Sequence, residues 1–193
     1  FYRHRGEESW RFVAEAARQV QARGHSVAVA LVQDRKSVKD PVLWRNFVET
    51  ALGLVGSTAE EIEAGHAINR VKWGVWEFDE YRRMVEITAS VAQRYPQVCL
   101  MGPAAMDSDF VSMAAALRSL KGTGLKFGAA SHHLYVDRCG APENAQGAFN
   151  SVWKFTLGRA VARASGICRD RFVISEVNWP LEGTGVYSPV GSP

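Results

Sequence analysis

The chain has 193 residues, 47% of them hydrophobic and 22% charged, with a net charge of +3. That is enough apolar material for one buried core, and it argues for a single domain over residues 1–193. The basic residues are scattered, with no Lys/Arg run beyond two, and no apolar run reaches the length of a membrane-spanning helix, so neither nucleic acid nor a membrane span is expected. Cys99, Cys139 and Cys168 are odd in number and lack Cys-x-x-Cys spacing, which speaks against zinc motifs and a disulfide scaffold and for free or buried thiols.

In chain order, Phe1 to Arg5 reads as the tail of a strand or the loop after it, ending at Gly6. Glu7 to Ala22 has helical spacing, with Trp10, Val13, Ala14, Ala17 and Val20 on one face and Gly24 as the stop. Ser26 to Val32 is a continuous apolar run of strand length, followed by polar Gln33-Asp34-Arg35. Pro41 to Val55 is a helix with Pro in its first turn and Leu43, Phe47, Ala51 and Leu54 as its buried stripe. Glu60 to Gly65 is a short strand followed by the loop His66-Ala67-Ile68-Asn69-Arg70. Next come a helix over Glu77 to Arg94 and a strand over Gln97 to Met101, broken by Gly102-Pro103. A helix over Asp109 to Leu120, capped by Ser108, precedes a strand over Lys126 to Ser131 that ends in His132-His133-Leu134-Tyr135. A helix over Ala145 to Ala164 leads to the last strand, Phe172 to Ser175, which delivers Glu176 and then Asn178-Trp179-Pro180.

Helix and strand alternate throughout, and the strands are near-continuous apolar runs, as in parallel sheets covered on both faces. A doubly wound sheet would usually carry a Gly-rich phosphate turn after its first strand, and none is present. The strand ends carry large polar and aromatic groups instead, which favours a (β/α)8 TIM barrel, whose functional side chains come from the carboxyl ends of several strands. Six strands are counted with Phe1–Arg5 included. The chain opens without an initiator Met and closes on Ser-Pro-Val-Gly-Ser-Pro. The expectation is therefore a partial barrel of about six of eight units, the first and last missing, which would not be stable alone.

Arg3 by the first strand, Gly65-His66-Ala67-Ile68-Asn69 after the third, His133-Leu134-Tyr135 after the fifth and Glu176 after the sixth fall in a known order. In this order the chain resembles the clan A (β/α)8 glycoside hydrolases, the cellulase- and xylosidase-like retaining enzymes. In that clan the second strand often ends in Arg, the fourth in Gly-Asn-Glu with the acid/base, the sixth in His-x-Tyr and the seventh in the nucleophilic Glu. The resemblance implies a carbohydrate substrate, no metal or organic cofactor, and Glu176 as nucleophile. The segments 72–76 and 133–144 look like features of a narrower subgroup. One departure stands out: His66-Ala67 occupies the place of Asn-Glu, so the clan's general acid is missing, and retaining hydrolysis needs both carboxyls.

The candidate catalytic residues are therefore Glu176 and His66, the latter as a hydroxyl partner or weak acid. His133 and Tyr135 are expected to orient Glu176 and touch the sugar. Asn69, Asn178 and Trp179 are expected to line the substrate, and Arg3, with His4 and Arg5, to hold an anionic sugar group. Replacement acids are Glu63, Glu143, Asp107, Asp109, Asp34 and Asp137, with Glu63 placed too deep. Trp73, Trp76 and Trp179 suit stacking on sugar rings, and Trp10, Trp44 and Trp153 suit the core. Two rival readings remain: a carbohydrate-binding barrel that has lost its acid, and a barrel enzyme using Arg and His clusters on a phosphorylated substrate, for which no Gly-rich site is present.

Overall fold

A computed structural model describes residues 1–135, 145 and 147–177. Five parallel strands form one sheet in consecutive order: β1 (Ala28–Leu31), β2 (Glu61–Ala64), β3 (Cys99–Met106), β4 (Ala129–Leu134) and β5 (Phe172–Val177). Among the described residues, six α-helices connect and cover them: α1 (Glu7–Ala22), α2 (Arg35–Lys39), α3 (Pro41–Val55), α4 (Phe78–Ala92), α5 (Phe110–Ser119) and α6 (Ser151–Ser165). Consecutive parallel order with a helix between neighbours is the barrel path; a doubly wound sheet would reverse its strand order at a switch point. The sheet is curled. Arg171 pairs with Glu61 and the Ser175 hydroxyl donates to Glu63 Oε1 at 2.5 Å, so β5 reaches β2 across the interior although two strands lie between them. The chain therefore has the (β/α)-barrel class of fold as a partial barrel.

Ahead of β1, Tyr2 makes a parallel bridge to Val32, and then Arg3–Arg5 turns as a 3-10 helix, so the strand expected over Phe1–Arg5 shrinks to its first two residues. β3 does not stop at Gly102-Pro103. It runs on to Met106 by shifting register between Pro103 and Ala105, with Ala104 at a positive φ of 55° absorbing the extra residue. The cap of α5 is Asp109, which accepts from Ser112 N at 2.9 Å, rather than Ser108. α6 starts at Ser151 behind its Asn150 cap, not at Ala145. The short helix α2 was not expected; Asp34 and Ser37 close a reciprocal capping box that starts it.

The core lies between the sheet and the helices. Trp44, Phe47, Val48, Ala51 and Leu52 of α3 are fully buried, with Tyr81 and Val85 of α4 and Leu117 of α5. The buried face of α3 thus includes Trp44, Val48 and Leu52 and leaves Leu43 and Leu54 half-buried. Trp153, expected in the core, is 58% exposed, and it lies beside exposed Phe149, Val152 and Phe155.

Candidate functional site

The site forms where β2, β4 and β5 end. Strand alternation decides which side chains reach it. On β4, His132 faces the helices, its ring stacked on Phe110 at 5.1 Å and 16°. His133 faces the interior instead, its ring 4.7 Å from that of His66. In the pairing of β4 with β5 the register shifts between His132 and His133, so His132 pairs with Ile174 and His133 with Glu176, and Ser175 is the extra residue. That bulge lets two successive residues, Ser175 and Glu176, both serve the interior: Ser175 reaches Glu63, and Glu176 reaches the mouth.

Glu176 is held on one oxygen and faced on the other. Tyr135 donates its hydroxyl to Glu176 Oε1. Oε2 lies 3.8 Å from His66 Nδ1 and 4.0 Å from His133 Nδ1. The far nitrogen of His133, Nε2, lies 3.7 Å from Glu63 Oε2, so the imidazole stands between two carboxylates. Burial, then the Glu176 hydrogen bond, push the Tyr135 phenol well above its usual pKa, so it stays protonated and donates. Burial alone would raise Glu63, but His133 and the hydroxyls of Ser131 and Ser175 outweigh it and hold the carboxyl below its ordinary range. His66 falls from its usual 6.5 to about 4, first through burial and then through His133, with Glu176 and Glu63 only partly compensating. At neutral pH His66 is therefore a neutral imidazole, suited to hydrogen bonding rather than to delivering a proton.

The loop carrying His66 is fixed by contacts that no local pattern announces. Gln33, fully buried, accepts from His66 N at 2.9 Å and donates to His66 O at 2.8 Å. Trp73 packs edge-on against the His66 ring at 4.6 Å, and Tyr2 lies 6.1 Å from Trp73. Farther along, Arg35 donates to Gly74 O and Glu80 at 2.7 Å each and sits over the Trp76 ring at 4.0 Å.

Of the residues expected at the site, Glu176, His66, His133 and Tyr135 meet. Arg3 is committed to Asp34, donating from Nε at 2.7 Å. The Asn69 amide donates to Met106 O and Asp109 Oδ2 at 3.1 Å each and accepts from Met106 N, stapling its loop to the end of β3. Asn178 and Trp179 lie outside the described residues, as do Asp137, Glu143 and Cys139. Among the replacement acids, Asp34 caps α2 and pairs with Arg3, Asp107 pairs with Arg70, and Asp109 caps α5. Glu63 is 2% exposed, too deep to reach a leaving-group oxygen. Ala67, in the place of the clan's acid, is buried with φ 43°. Cys99 and Cys168 are free thiols, and among the described residues no helix is long and apolar enough to cross a membrane.

No protein-family model and no curated protein matches the chain. Among solved structures, it is similar to an Ignisphaera aggregans GH53 catalytic domain, with 13% sequence identity and a TM-score of 0.56. The match covers 80% of this chain and 46% of that one, so the matched part is just under half of the relative's length. At this identity the likeness shows the fold.

Proposed function

We propose that the chain is the nucleophile-bearing part of a glycoside hydrolase that cleaves O-glycosidic bonds, with Glu176 as the carboxylate at the nucleophile position. The observation that carries this reading is the setting of Glu176. It stands at the carboxyl end of a barrel strand, its side chain 42% exposed, with one oxygen fixed by Tyr135 and the other facing His66 and His133. A nucleophilic carboxylate needs one oxygen held so that the other meets the anomeric carbon in line. The fold shared with a GH53 catalytic domain is in keeping with this.

In this reading His133 and Tyr135 orient Glu176. His66 bonds a sugar hydroxyl as a neutral imidazole and Trp73 walls that side, while Asn178 and Trp179, just past β5, contact the sugar. Arg3 and Asn69 support the floor through Asp34 and Met106 rather than through the substrate. Because Ala67 replaces the usual acid, the leaving group departs with little help from protonation. Turnover should therefore depend steeply on leaving-group acidity, with dinitrophenyl glycosides cleaved far faster than alkyl glycosides. The test is a panel of dinitrophenyl glycosides assayed with the full-length protein and its Glu176→Gln variant. We expect turnover that the variant loses by about 10³-fold or more.

Ala67 favours a second reading, a carbohydrate-binding barrel without turnover. Under it, calorimetry would find sugar binding by the unmodified protein, with no hydrolysis of even the most activated glycoside.

A further inference from the structure

We propose that His66, His133 and Glu176 form a binding site for one divalent transition-metal ion of the zinc type at the barrel mouth. Three potential ligand atoms, one from each residue, lie within 4.8 Å of one another. Glu176 Oε2 is 3.8 Å from His66 Nδ1 and 4.0 Å from His133 Nδ1. Zinc with bonds of about 2.0–2.1 Å in a tetrahedral shell needs ligand atoms about 3.3–3.4 Å apart. The two separations from Glu176, 3.8 and 4.0 Å, exceed that by about 0.4–0.7 Å, and side-chain rotation would have to draw the three groups together.

A second observation points to a ligand. His133 is 1% exposed, and its ring nitrogens face carboxylate oxygens only at 3.7 and 4.0 Å, beyond hydrogen-bond distance. Buried imidazole nitrogens are seldom left that way. An ion at this position would engage Nδ1, leaving Nε2–H to point at Glu63, 3.7 Å away. That is the carboxylate–histidine–metal arrangement, and Glu63 is itself fixed by the Ser175 hydroxyl. The other two ligand residues are supported in the same way. Tyr135 occupies Glu176 Oε1 and leaves Oε2 available, and Gln33 clamps the His66 backbone. The charges also suit an ion, since Glu63 and Glu176 together balance two positive charges.

Two imidazoles and one carboxylate favour zinc-like ions over magnesium or calcium, which take all-oxygen shells. Three protein ligands, with a Glu176 side chain 42% exposed, leave a position open toward the mouth, as in catalytic rather than structural zinc sites. Ion and sugar would compete for Glu176, but the inference does not depend on the glycosidase reading, because its readout is metal content rather than turnover.

The experiment uses the full-length protein freed of metal by a chelator. Zinc is titrated by calorimetry, and cobalt is added as a spectroscopic surrogate. We expect one ion per chain and the visible absorption of four- or five-coordinate cobalt, abolished by excess zinc. Glu63→Gln and His66→Gln should each weaken binding by at least about tenfold. Absence of stoichiometric zinc, a six-coordinate cobalt spectrum, or binding indifferent to both substitutions in folded protein would overturn the proposal. The cobalt spectrum of the unmodified protein decides the matter should a variant fail to fold.

Discussion

His66 and His132 are buried imidazoles whose pKa falls from the usual 6.5 to about 4, chiefly through burial. Each stays neutral in the fold while the unfolded chain takes up a proton. The stability they allow is therefore whole above pH 6.5 and drains away as the pH falls toward 4. Each histidine can contribute a slope of up to about 1.4 kcal/mol per pH unit in that window. The paired carboxylates Asp34, Glu80 and Asp109 have pKa values lowered from 3.8 or 4.5 and act below it. Urea unfolding at pH 7, 6, 5 and 4 should show the loss, and the double variant His66→Gln with His132→Leu should flatten it; equal stability at pH 7 and pH 5 would contradict this account. At this scale the grouping of Glu176, His66, His133 and Tyr135 followed from the order of strand-end motifs shared with the clan, and a carboxylate after a buried strand singled out Glu176. The clamp from Gln33, the pairing of Arg3 with Asp34 and the burial of Glu63 against His133 were not legible. Each joins residues far apart in sequence, and only the curled sheet brings them together.

Among the elements, α6 packs on the start of β5, the strand that carries Glu176. Gly158 of α6 lies on the Phe172 ring, and a Cβ there would come within 2.3 Å of a ring carbon. Alanine would gain up to about 1 kcal/mol of helix propensity. Overpacking costs about 1–3 kcal/mol, toward the upper end here, because Phe172, itself packed on Phe155 at 5.2 Å, has little room to yield. Gly158→Ala should therefore lower unfolding stability, by up to about 2 kcal/mol, in denaturant titrations, and unchanged or raised stability would show the contact to be loose. The bounds of α1 and α3 were readable because their stop and start signals are local: Gly24, and Asp40 with Pro41. α2 was too short to carry a period. The run of β3 past Pro103 depends on a register shift against β4 that sequence does not display.

For the molecule as a whole, β5 has a strand neighbour on one side only among the described residues. Beside it, α6 and the residues before it expose Phe149, Val152, Trp153 and Phe155. A parallel edge without a described strand partner, next to an apolar face, invites association. Residues 1–193 produced alone should elute as oligomers or aggregates and bind apolar dyes, whereas a monomer with one cooperative melt would contradict this. Helix–strand alternation and the absence of a phosphate turn made the barrel class readable, and the likeness to a GH53 catalytic domain agrees with it at the level of fold.

The proposed role of Glu176 is attack on an anomeric carbon. It is tested most directly by incubating the full-length protein, with a chelator present, with dinitrophenyl 2-deoxy-2-fluoroglycosides and sequencing the labelled peptide by mass spectrometry. Attack by a Glu176 oxygen expels dinitrophenolate and leaves an ester that the fluorine makes slow to hydrolyse. One fluoroglycosyl group, carried on Glu176, is expected. A label on a different carboxylate, or no label across the panel from a protein that still binds sugar, would contradict it.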